Sequence, residues 1–331
     1  MDARLRELIA ALPKAETHLH IEGAAPWAMV RARASEALPV EPPWWAEHFR
    51  FDDFTRFRGA VRTCSERVLT DAGSYGAVAA ALFARLQAEG VRYVELSFDG
   101  ELATRRGVRP PDVPAAIKTA APAGLAVRVF GSFSQHKAGV LTEADVHDVL
   151  DAPDLDGIDL HGDETFQTAP RFAAVFAEAR RRGLATKAHA GELMGPASVR
   201  TALDVLGVRR IEHGVRAVED DELVDRLARE RVTLDMCPWS NVRLRVWPDF
   251  VSHPIRHLRE RGVRVTVSTD DPTVFGRTLT EELSALVAAR LLSPADVAGV
   301  QVTAFENALV DAGQRAVLIE AVRRAAAAWP R

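Results

Sequence analysis

Histidines and aspartates recur in short segments of this 331-residue sequence, and their types and spacing suit the binding of a metal ion. The segments are THLH, AHAGE, IEHG and STDDP, and the candidate side chains are His18, His20, His189, His213, Asp270 and Asp271. Imidazole nitrogens with a carboxylate suit zinc, and a catalytic zinc keeps one position open for water. Such a metal lowers the pKa of its water to about 7 and supplies hydroxide, which attacks an electron-poor carbon. Iron(II) and manganese are alternative occupants, because metal choice also depends on availability.

A recurring pattern of strands provides the elements that must bring these side chains together. Short apolar segments rich in β-branched residues alternate with helical patterns, which predicts a parallel sheet. The predicted strands are Ala15–His20, Val91–Phe98, Ala126–Ser132, Gly157–Leu160, Ala185–His189, Arg210–His213, Thr233–Met236 and Arg264–Ser268. We predict an α/β fold in which this sheet closes into a (β/α)₈ TIM barrel; an open, doubly wound sheet is the alternative.

The predicted barrel would collect the candidate side chains at one rim. In a (β/α)₈ barrel the carboxyl ends of the strands surround the active site, and every candidate lies at or just after such an end. His18 and His20 are two residues apart, so they point to the same face of a strand. A single buried histidine is usually a packing residue, but several at successive strand ends are hard to explain as packing. The pattern therefore predicts a metal site.

One connection is much longer than the others. Residues 24–90 separate the first two predicted strands and are rich in tryptophan and phenylalanine. A structureless loop of that length is uncommon, so we expect a helical insertion. It is interpreted either as a packed extension or as a lid over the barrel mouth, with aromatic side chains lining a pocket. Residues 1–331 are otherwise treated as one metal-dependent hydrolase domain.

Attack by hydroxide needs groups that carry protons and hold the substrate. Glu192 lies three residues after His189 and is a candidate proton donor. His213 can orient the hydroxide, and Asp271 can accept a hydrogen bond from a ring N–H. Gly162, in the HGDE segment, allows the main chain to approach a planar ligand closely.

Composition excludes several classes of partner. The net charge is −4 with no basic stripe, which argues against nucleic-acid binding. Cys64 and Cys237 are far apart and form neither a disulfide framework nor a metal knuckle. No apolar run reaches the roughly 18 residues of a membrane span, and the first residues lack the layout of a signal peptide. We expect a cytoplasmic protein with a small-molecule partner, and the oligomeric state stays open.

The motifs resemble those of the adenosine deaminase family in the amidohydrolase superfamily. PKAETHLHIEGA, HAGE, IEHG, CPWSN and STDDP occur in that family's order, and HGDET resembles its substrate-contacting turn. The resemblance extends from Pro13 to about Glu282. Each short motif alone is weak, but the set in one order is specific.

The resemblance implies one zinc ion per chain and a role for each candidate residue. The implied zinc ligands are His18, His20, His189 and Asp270. Glu192 would protonate the purine ring at N1, while His213 and Asp270 would position and deprotonate the attacking water. Asp271 would hold N7, and the backbone of Gly162 would hold N3. Attack at C6 would then release ammonia.

The resemblance implies an aminopurine substrate, and our first interpretation is a nucleoside, adenosine or 2′-deoxyadenosine. Glu22 departs from the nucleoside pattern, which usually has an aspartate that contacts the ribose 5′ hydroxyl. Free-adenine deaminases resemble this sequence at Glu22 and in SNVRL, whereas HGDET resembles the nucleoside enzymes. Aminodeoxyfutalosine, which carries a bulkier 5′ group, is a further alternative. Glu22 and the GSFSQHK segment after the third strand both leave room for it.

Two more distant alternatives predict different sites. Another amidohydrolase, acting on a cyclic amide or an ester, would bridge two metals with a modified lysine or a glutamate. Lys187, two residues before His189, is the nearest candidate for that lysine. A catalytically inactive barrel would have lost one or more site residues, and all of them are present.

Overall fold

A closed barrel of parallel strands forms the centre of the computed structural model, which describes residues 3–34, 36–135 and 142–329. The strands are β1 (Lys14–His20), β2 (Val91–Asp99), β3 (Ala126–Ser134), β4 (Gly157–His161), β5 (Ala185–Ala190), β6 (Arg210–His213), β7 (Thr233–Met236) and β8 (Arg264–Val267). Each strand pairs in parallel with the next one along the chain. A parallel bridge between Leu19 and Asp270 joins the end of β8 to β1. The predicted (β/α)₈ barrel is thereby confirmed.

Helices surround the barrel between its strands. Those before β4 are α1 (Ala3–Ala11), α2 (Trp27–Arg33), α3 (Phe54–Ser65), α4 (Ala72–Ala88), α5 (Gly100–Arg105), α6 (Val113–Thr119) and α7 (Glu143–Leu150). Those after β4 are α8 (Ala173–Arg181), α9 (Pro196–Thr201), α10 (Asp221–Arg229), α11 (Pro238–Arg243), α12 (Ile255–Glu260), α13 (Pro272–Phe275), α14 (Leu279–Ala288), α15 (Pro294–Glu306) and α16 (Ala312–Ala327).

Local sequence signals explain where the long helices begin and end. Asp71 and Ser74 form a reciprocal capping box at the start of α4, and Gly90, with φ of +83°, follows its end. Ser293 caps α15, whose first residue is Pro294. Strands β6 and β7 have the predicted bounds, whereas β3 extends to Ser134.

The long connection after β1 contains α2, α3 and α4 together with short 3₁₀ turns. Its aromatic residues pack on one another and on the barrel rim: Phe57 stacks on Phe275 with ring centroids 5.5 Å apart. The Trp45 indole donates a hydrogen bond of 2.7 Å to the Thr273 carbonyl. These contacts fix the connection against α13, the short helix that follows β8. His136 and Lys137, in the GSFSQHK segment, lie outside the described residues.

Charged side chains, rather than apolar ones alone, fill part of the barrel interior. The Arg210 guanidinium donates to Glu95 at 2.6 and 2.8 Å and to Asp235 at 2.6 and 3.0 Å. Both carboxylates are fully buried. Buried charges are costly unless they are paired. The Arg210 guanidinium therefore supplies the positive charge that both carboxylates need. No helix in the described ranges is long and apolar enough to cross a membrane.

We predict that Arg210→Ala destabilises the barrel by about 3–5 kcal/mol, because it leaves two buried carboxylates without their partner. The measurement is the free energy of unfolding in urea. Arg209→Ala is the matched control: that side chain is 60% exposed and lies 3.5 Å from Glu230, so its loss should cost less than about 1 kcal/mol. Equal stability of the two variants would contradict a structural role for the buried pairings.

Candidate active site

Three imidazoles converge at the carboxyl ends of β1 and β5. The Nε2 atoms of His18 and His189 are 3.1 Å apart, those of His20 and His189 are 3.2 Å apart, and those of His18 and His20 are 3.3 Å apart. All three side chains are buried, and their ligand atoms form a group that could hold a metal ion. The structure therefore brings together three of the four predicted ligands from two distant parts of the chain.

The spacing of these nitrogens fits a metal rather than direct hydrogen bonding. Two nitrogens bound to one tetrahedral zinc at about 2.05 Å lie about 3.3 Å apart. A single proton could link only two of the three nitrogens. Burial lowers the pKa of His18 and His20 well below the usual range, so both rings are neutral and offer lone pairs. Neutral imidazole is the form that binds metals.

Hydrogen bonds on the far side of two rings turn the lone pairs inward. The Nδ1 of His189 lies 3.0 Å from Glu212 Oε2, 3.3 Å from Asp159 Oδ1 and 3.2 Å from the Leu160 carbonyl. The Nδ1 of His18 lies 3.2 Å from the Asp235 carbonyl. Acceptors at Nδ1 place the proton there and leave Nε2 free, which is how ligand histidines are oriented.

Asp270 lies beside the three nitrogens. Its Oδ1 is 3.6 Å from His20 Nε2 and 3.8 Å from His18 Nε2, so this oxygen could supply a fourth ligand. Its Oδ2 accepts a 2.7 Å hydrogen bond from the Ser240 hydroxyl. Asp270 and His213 both have φ of +63°, in the left-handed region that residues other than glycine rarely adopt. Such strain is found at functional sites, where surrounding contacts impose it.

Glu192 reaches the same space from the loop after β5. Its Oε1 lies 3.5 Å from His213 Nε2, which in turn lies 3.9 Å from Asp270 Oδ2. Burial and the neighbouring Asp270 raise the pKa of the Glu192 carboxyl well above its usual value. The carboxyl therefore keeps its proton at pH values where an exposed glutamate has lost it. This is the state that a proton donor requires.

Asp271 faces the cavity with an unused polar atom. Its Oδ1 is buried without a hydrogen-bond partner, and burial together with Asp270 raises the pKa of the Asp271 carboxyl. Gly23 makes room for it, because a Cβ at position 23 would lie 1.9 Å from that oxygen. An orphaned buried oxygen in a residue that lines a cavity is a candidate ligand contact.

Glu22, Gly162 and two further polar residues, Asp99 and His161, also line the cavity. Glu22 is buried and accepts a 3.0 Å hydrogen bond from the Asp99 amide, and burial raises the pKa of its carboxyl to about 7. His161 stacks on His20 at 5.7 Å and lies 3.5 Å from Asp99 Oδ2. Gly162 has φ of +91°, which favours glycine.

The cavity has a volume of about 640 Å³ and extends from the imidazoles to α3 and α5. Phe54, Phe57 and Val61 line it on the side of α3, and Leu102 lines it on the side of α5. The cavity lining contains none of the tryptophans of the long connection. Of the aromatic residues expected there, only the two phenylalanines of α3 contribute.

The sequence analysis made no prediction for several residues that shape the site. Glu164 accepts hydrogen bonds from the Glu192 amide (3.0 Å) and the Met194 amide (2.9 Å), and so holds the loop that bears the proton donor. Glu212 is paired in register with His189 across β5 and β6. Glu164 lies within HGDET and Glu212 within IEHG, so the motifs contained both residues without revealing what they contact.

Lys187 does not have the environment of a metal-bridging lysine. Its ammonium lies 2.8 Å from Glu212 Oε1 and donates to the Thr17 carbonyl at 3.1 Å. Burial alone would lower its pKa, but Glu212 and Glu95 outweigh that effect and raise the pKa. Modification to a carbamate needs a neutral amine, so this charged lysine disfavours the two-metal alternative.

A closed (β/α)₈ barrel with imidazoles and a carboxylate at the carboxyl ends of its strands is the architecture of a metal-dependent hydrolase of the amidohydrolase class. Residues 13–325 match the family described as Adenosine deaminase, and the chain belongs to that family. The family predicted from the motifs is thereby confirmed, and the chain is a metal-dependent aminohydrolase.

Relatives and solved structures resemble the chain over nearly its whole length. An adenine deaminase from Rhizobium meliloti (strain 1021) is 35% identical over 327 residues, which cover 95% of this chain and 99% of that protein. The crystal structure of an adenine deaminase from Arthrobacter aurescens has a TM-score of 0.84 and 30% identity, covering 95% of this chain and 99% of that one. An amidohydrolase from Burkholderia ambifaria, solved with bound Zn, shares the fold with a TM-score of 0.83 and 23% identity, covering 99% of this chain and 96% of that one.

We predict that Asp270 and Asp271, although adjacent, differ in their effect on metal binding. Asp270→Asn should lower the metal content after dialysis against a chelator, because Oδ1 lies beside the imidazole nitrogens. Asp271→Asn should keep the wild-type metal content and lose only turnover. Elemental analysis per chain measures both effects. If Asp271→Asn lost the metal and Asp270→Asn retained it, Asp271 would be the ligand and the assignment of Asp270 would be wrong.

Proposed function

We propose that this chain hydrolyses the 6-amino group of free adenine to give hypoxanthine and ammonia. The observation that carries the choice of substrate is the likeness to adenine deaminases of 30–35% identity over at least 95% of the chain. This favours the free base, the alternative that the sequence analysis placed after the nucleosides. The chemistry of the polar groups around the cavity supports the same reaction.

The proposed metal is one zinc ion per chain, held by His18, His20, His189 and Asp270. The close approach of three imidazole nitrogens beside a carboxylate supports this assignment. Zinc, when bound, would lower the pKa of water to near neutrality. All remaining steps are assigned to side chains of the protein.

Proton transfers in the proposal involve two carboxyl groups. Glu192 gives its proton to ring nitrogen N1, which makes C6 more electron-poor, and Asp270 takes a proton from the water that attacks C6. The proton held by Asp270 then passes to the amino group, and the C6–N bond breaks to release ammonia. The proton of the new C6 hydroxyl returns to Glu192, which leaves hypoxanthine and restores both carboxyl groups. The hydrogen bond from Ser240 fixes Oδ2 of Asp270 for this transfer.

The purine ring is oriented in the proposal by Asp271, Gly162 and Glu22. Adenine N7 carries a lone pair, so a protonated Asp271 donates to it; the raised pKa of Asp271 supports that state. The Gly162 main chain approaches N3. Glu22, with a pKa of about 7, can accept the N9–H proton of free adenine. A nucleoside has no proton at N9, so this contact would favour the base.

Helix α3 is the lid in this proposal. It lies within the insertion at 24–90, and its Phe54, Phe57 and Val61 line the cavity opposite the imidazoles. The same helix also brings Arg58 and Arg62 to the cavity lining, so the lid is only partly apolar. Its apolar side chains would exclude bulk water and so strengthen the polar contacts inside.

An adenine nucleoside is the second candidate substrate, because one observation favours it. The cavity, at about 640 Å³, extends beyond the imidazole cluster to Asp99, Ser134 and His161. The polar side chains in this part of the cavity could bind the sugar of a nucleoside. Adenosine, 2′-deoxyadenosine and aminodeoxyfutalosine therefore belong in the substrate test.

We predict that ammonia release is fastest with adenine, with kcat/KM at least about tenfold above that for each nucleoside, which corresponds to about 1.4 kcal/mol. The measurement compares the four compounds at equal zinc content. A nucleoside with the higher kcat/KM would replace free adenine as the assigned substrate. No ammonia from any of the four would overturn the proposed reaction.

We predict that Glu192→Gln keeps its zinc and loses about 10²–10⁴-fold in kcat, because the amide cannot donate a carboxyl proton. Glu320→Gln, on the exposed face of α16, is the matched control and should retain wild-type kcat. Full activity in Glu192→Gln would remove this residue from the mechanism.

A further inference from the structure

A chain of hydrogen bonds runs from the backbone of α12 to His213. The Ile255 amide donates to His253 Nδ1 at 3.3 Å, and His253 Nε2 lies 3.3 Å from Asn241 Oδ1. Asn241 Nδ2 lies 3.2 Å from His213 Nδ1. His213, Asn241 and His253 are each at most 2% exposed, so water does not compete for these contacts.

The direction of every hydrogen bond in this series follows from the first one, between the Ile255 amide and His253. A backbone N–H can only donate, so His253 Nδ1 is the acceptor and the proton of the neutral ring is on Nε2. Burial lowers the pKa of His253 to about 3, which keeps the ring neutral. The protonated Nε2 must face an oxygen, so Asn241 presents Oδ1 to His253 and its NH₂ group to His213.

The consequence at His213 is a single tautomer. Its Nδ1 accepts from Asn241 and carries no proton, so the proton of the neutral ring is on Nε2. That nitrogen faces the site, 3.5 Å from Glu192 Oε1 and 3.9 Å from Asp270 Oδ2.

We propose that Asn241 and His253 are positioning residues that hold His213 as its Nε2–H tautomer, so that His213 donates a hydrogen bond to the attacking oxygen and does not act as the base. The proton of the attacking water then goes to Asp270. The proposed function already assigns that proton to Asp270, and the new inference is the pair of residues that keeps His213 Nε2 as a donor. It rests on the proposed deamination only for its kinetic consequences, because the tautomer is a property of the protein without substrate.

The test is nitrogen NMR of the zinc-loaded protein labelled with ¹⁵N in histidine. Protonated and unprotonated ring nitrogens have well separated ¹⁵N shifts, and couplings to the ring protons distinguish Nδ1 from Nε2. The His213 signals are those missing from His213→Gln. We expect a protonated Nε2 and an unprotonated Nδ1. The opposite pattern in the wild-type protein would overturn the proposal, even if the Asn241 and His253 variants failed to fold.

Asn241→Asp gives the second measurement, since a carboxylate can only accept and should move the His213 proton to Nδ1. We expect kcat on adenine to fall on the order of 10²-fold, the loss typical of removing one donor to a developing oxyanion. KM and zinc content should stay within about twofold. Asn307→Asp, a matched change at an amide bonded to Thr233, should alter neither the tautomer nor kcat. An unchanged His213 tautomer in a folded Asn241→Asp variant would overturn the proposal.

His253→Phe separates the two positioning residues. It keeps the ring volume but removes the donor to Asn241 Oδ1, so the Asn241 amide is free to turn over. We expect a mixture of His213 tautomers and a smaller loss of kcat than in Asn241→Asp. A single Nε2–H tautomer with full activity would show that His253 has no part in positioning. Absence of activity on adenine in the wild-type protein would refute the proposed function and leave the NMR result standing.

Discussion

The close approach of three imidazole nitrogens, within 3.1–3.3 Å of one another, is the constraint on which the rest of the site depends. Lone pairs this close repel unless a positive charge lies between them. The barrel imposes the arrangement through acceptors on the far side of the rings: Glu212 and Asp159 at His189, and the Asp235 carbonyl at His18. The surrounding carboxyls, imidazoles and amides are then arranged around the point at which the nitrogens meet.

Glu212 and Asp159 are themselves buried carboxylates, and the barrel interior must stabilise them. Lys187 pairs with Glu212 at 2.8 Å, and Arg210 pairs with Glu95 and Asp235. Buried ion pairs contribute little net stability, but removing one partner is costly. A charged layer therefore lies directly beneath the imidazoles, and its function is orientation more than stability. The same layer keeps Lys187 protonated, and so a one-metal centre is favoured over a lysine-bridged pair.

Burial also decides which groups carry protons. It raises the pKa of the carboxyls of Glu192 and Asp271 and lowers the pKa of His18 and His213. These two acids are thus held in donor form, while the rings of His18 and His213 are neutral. Carboxyls that carry a proton thereby lie beside imidazoles that do not, so the two kinds of group can have different tasks at one pH. Opposed pKa shifts of this kind are what separate a proton donor from a metal-binding group at one pH.

The sequence by itself determined the alternation of strands and helices, and with it the barrel and the rim at which His18, His189 and Asp270 meet. It could do so because these features depend on local periodicity and on motifs at strand ends. Only the tertiary structure decided the partners of those residues. Glu212 faces His189 because β5 and β6 pair in that register, and His253 reaches Asn241 because the segment before α12 packs against α11. Register and packing join residues that are far apart along the chain, so no local pattern records them. Register and packing also set the shape of the cavity, and with it the discrimination between a free base and a nucleoside.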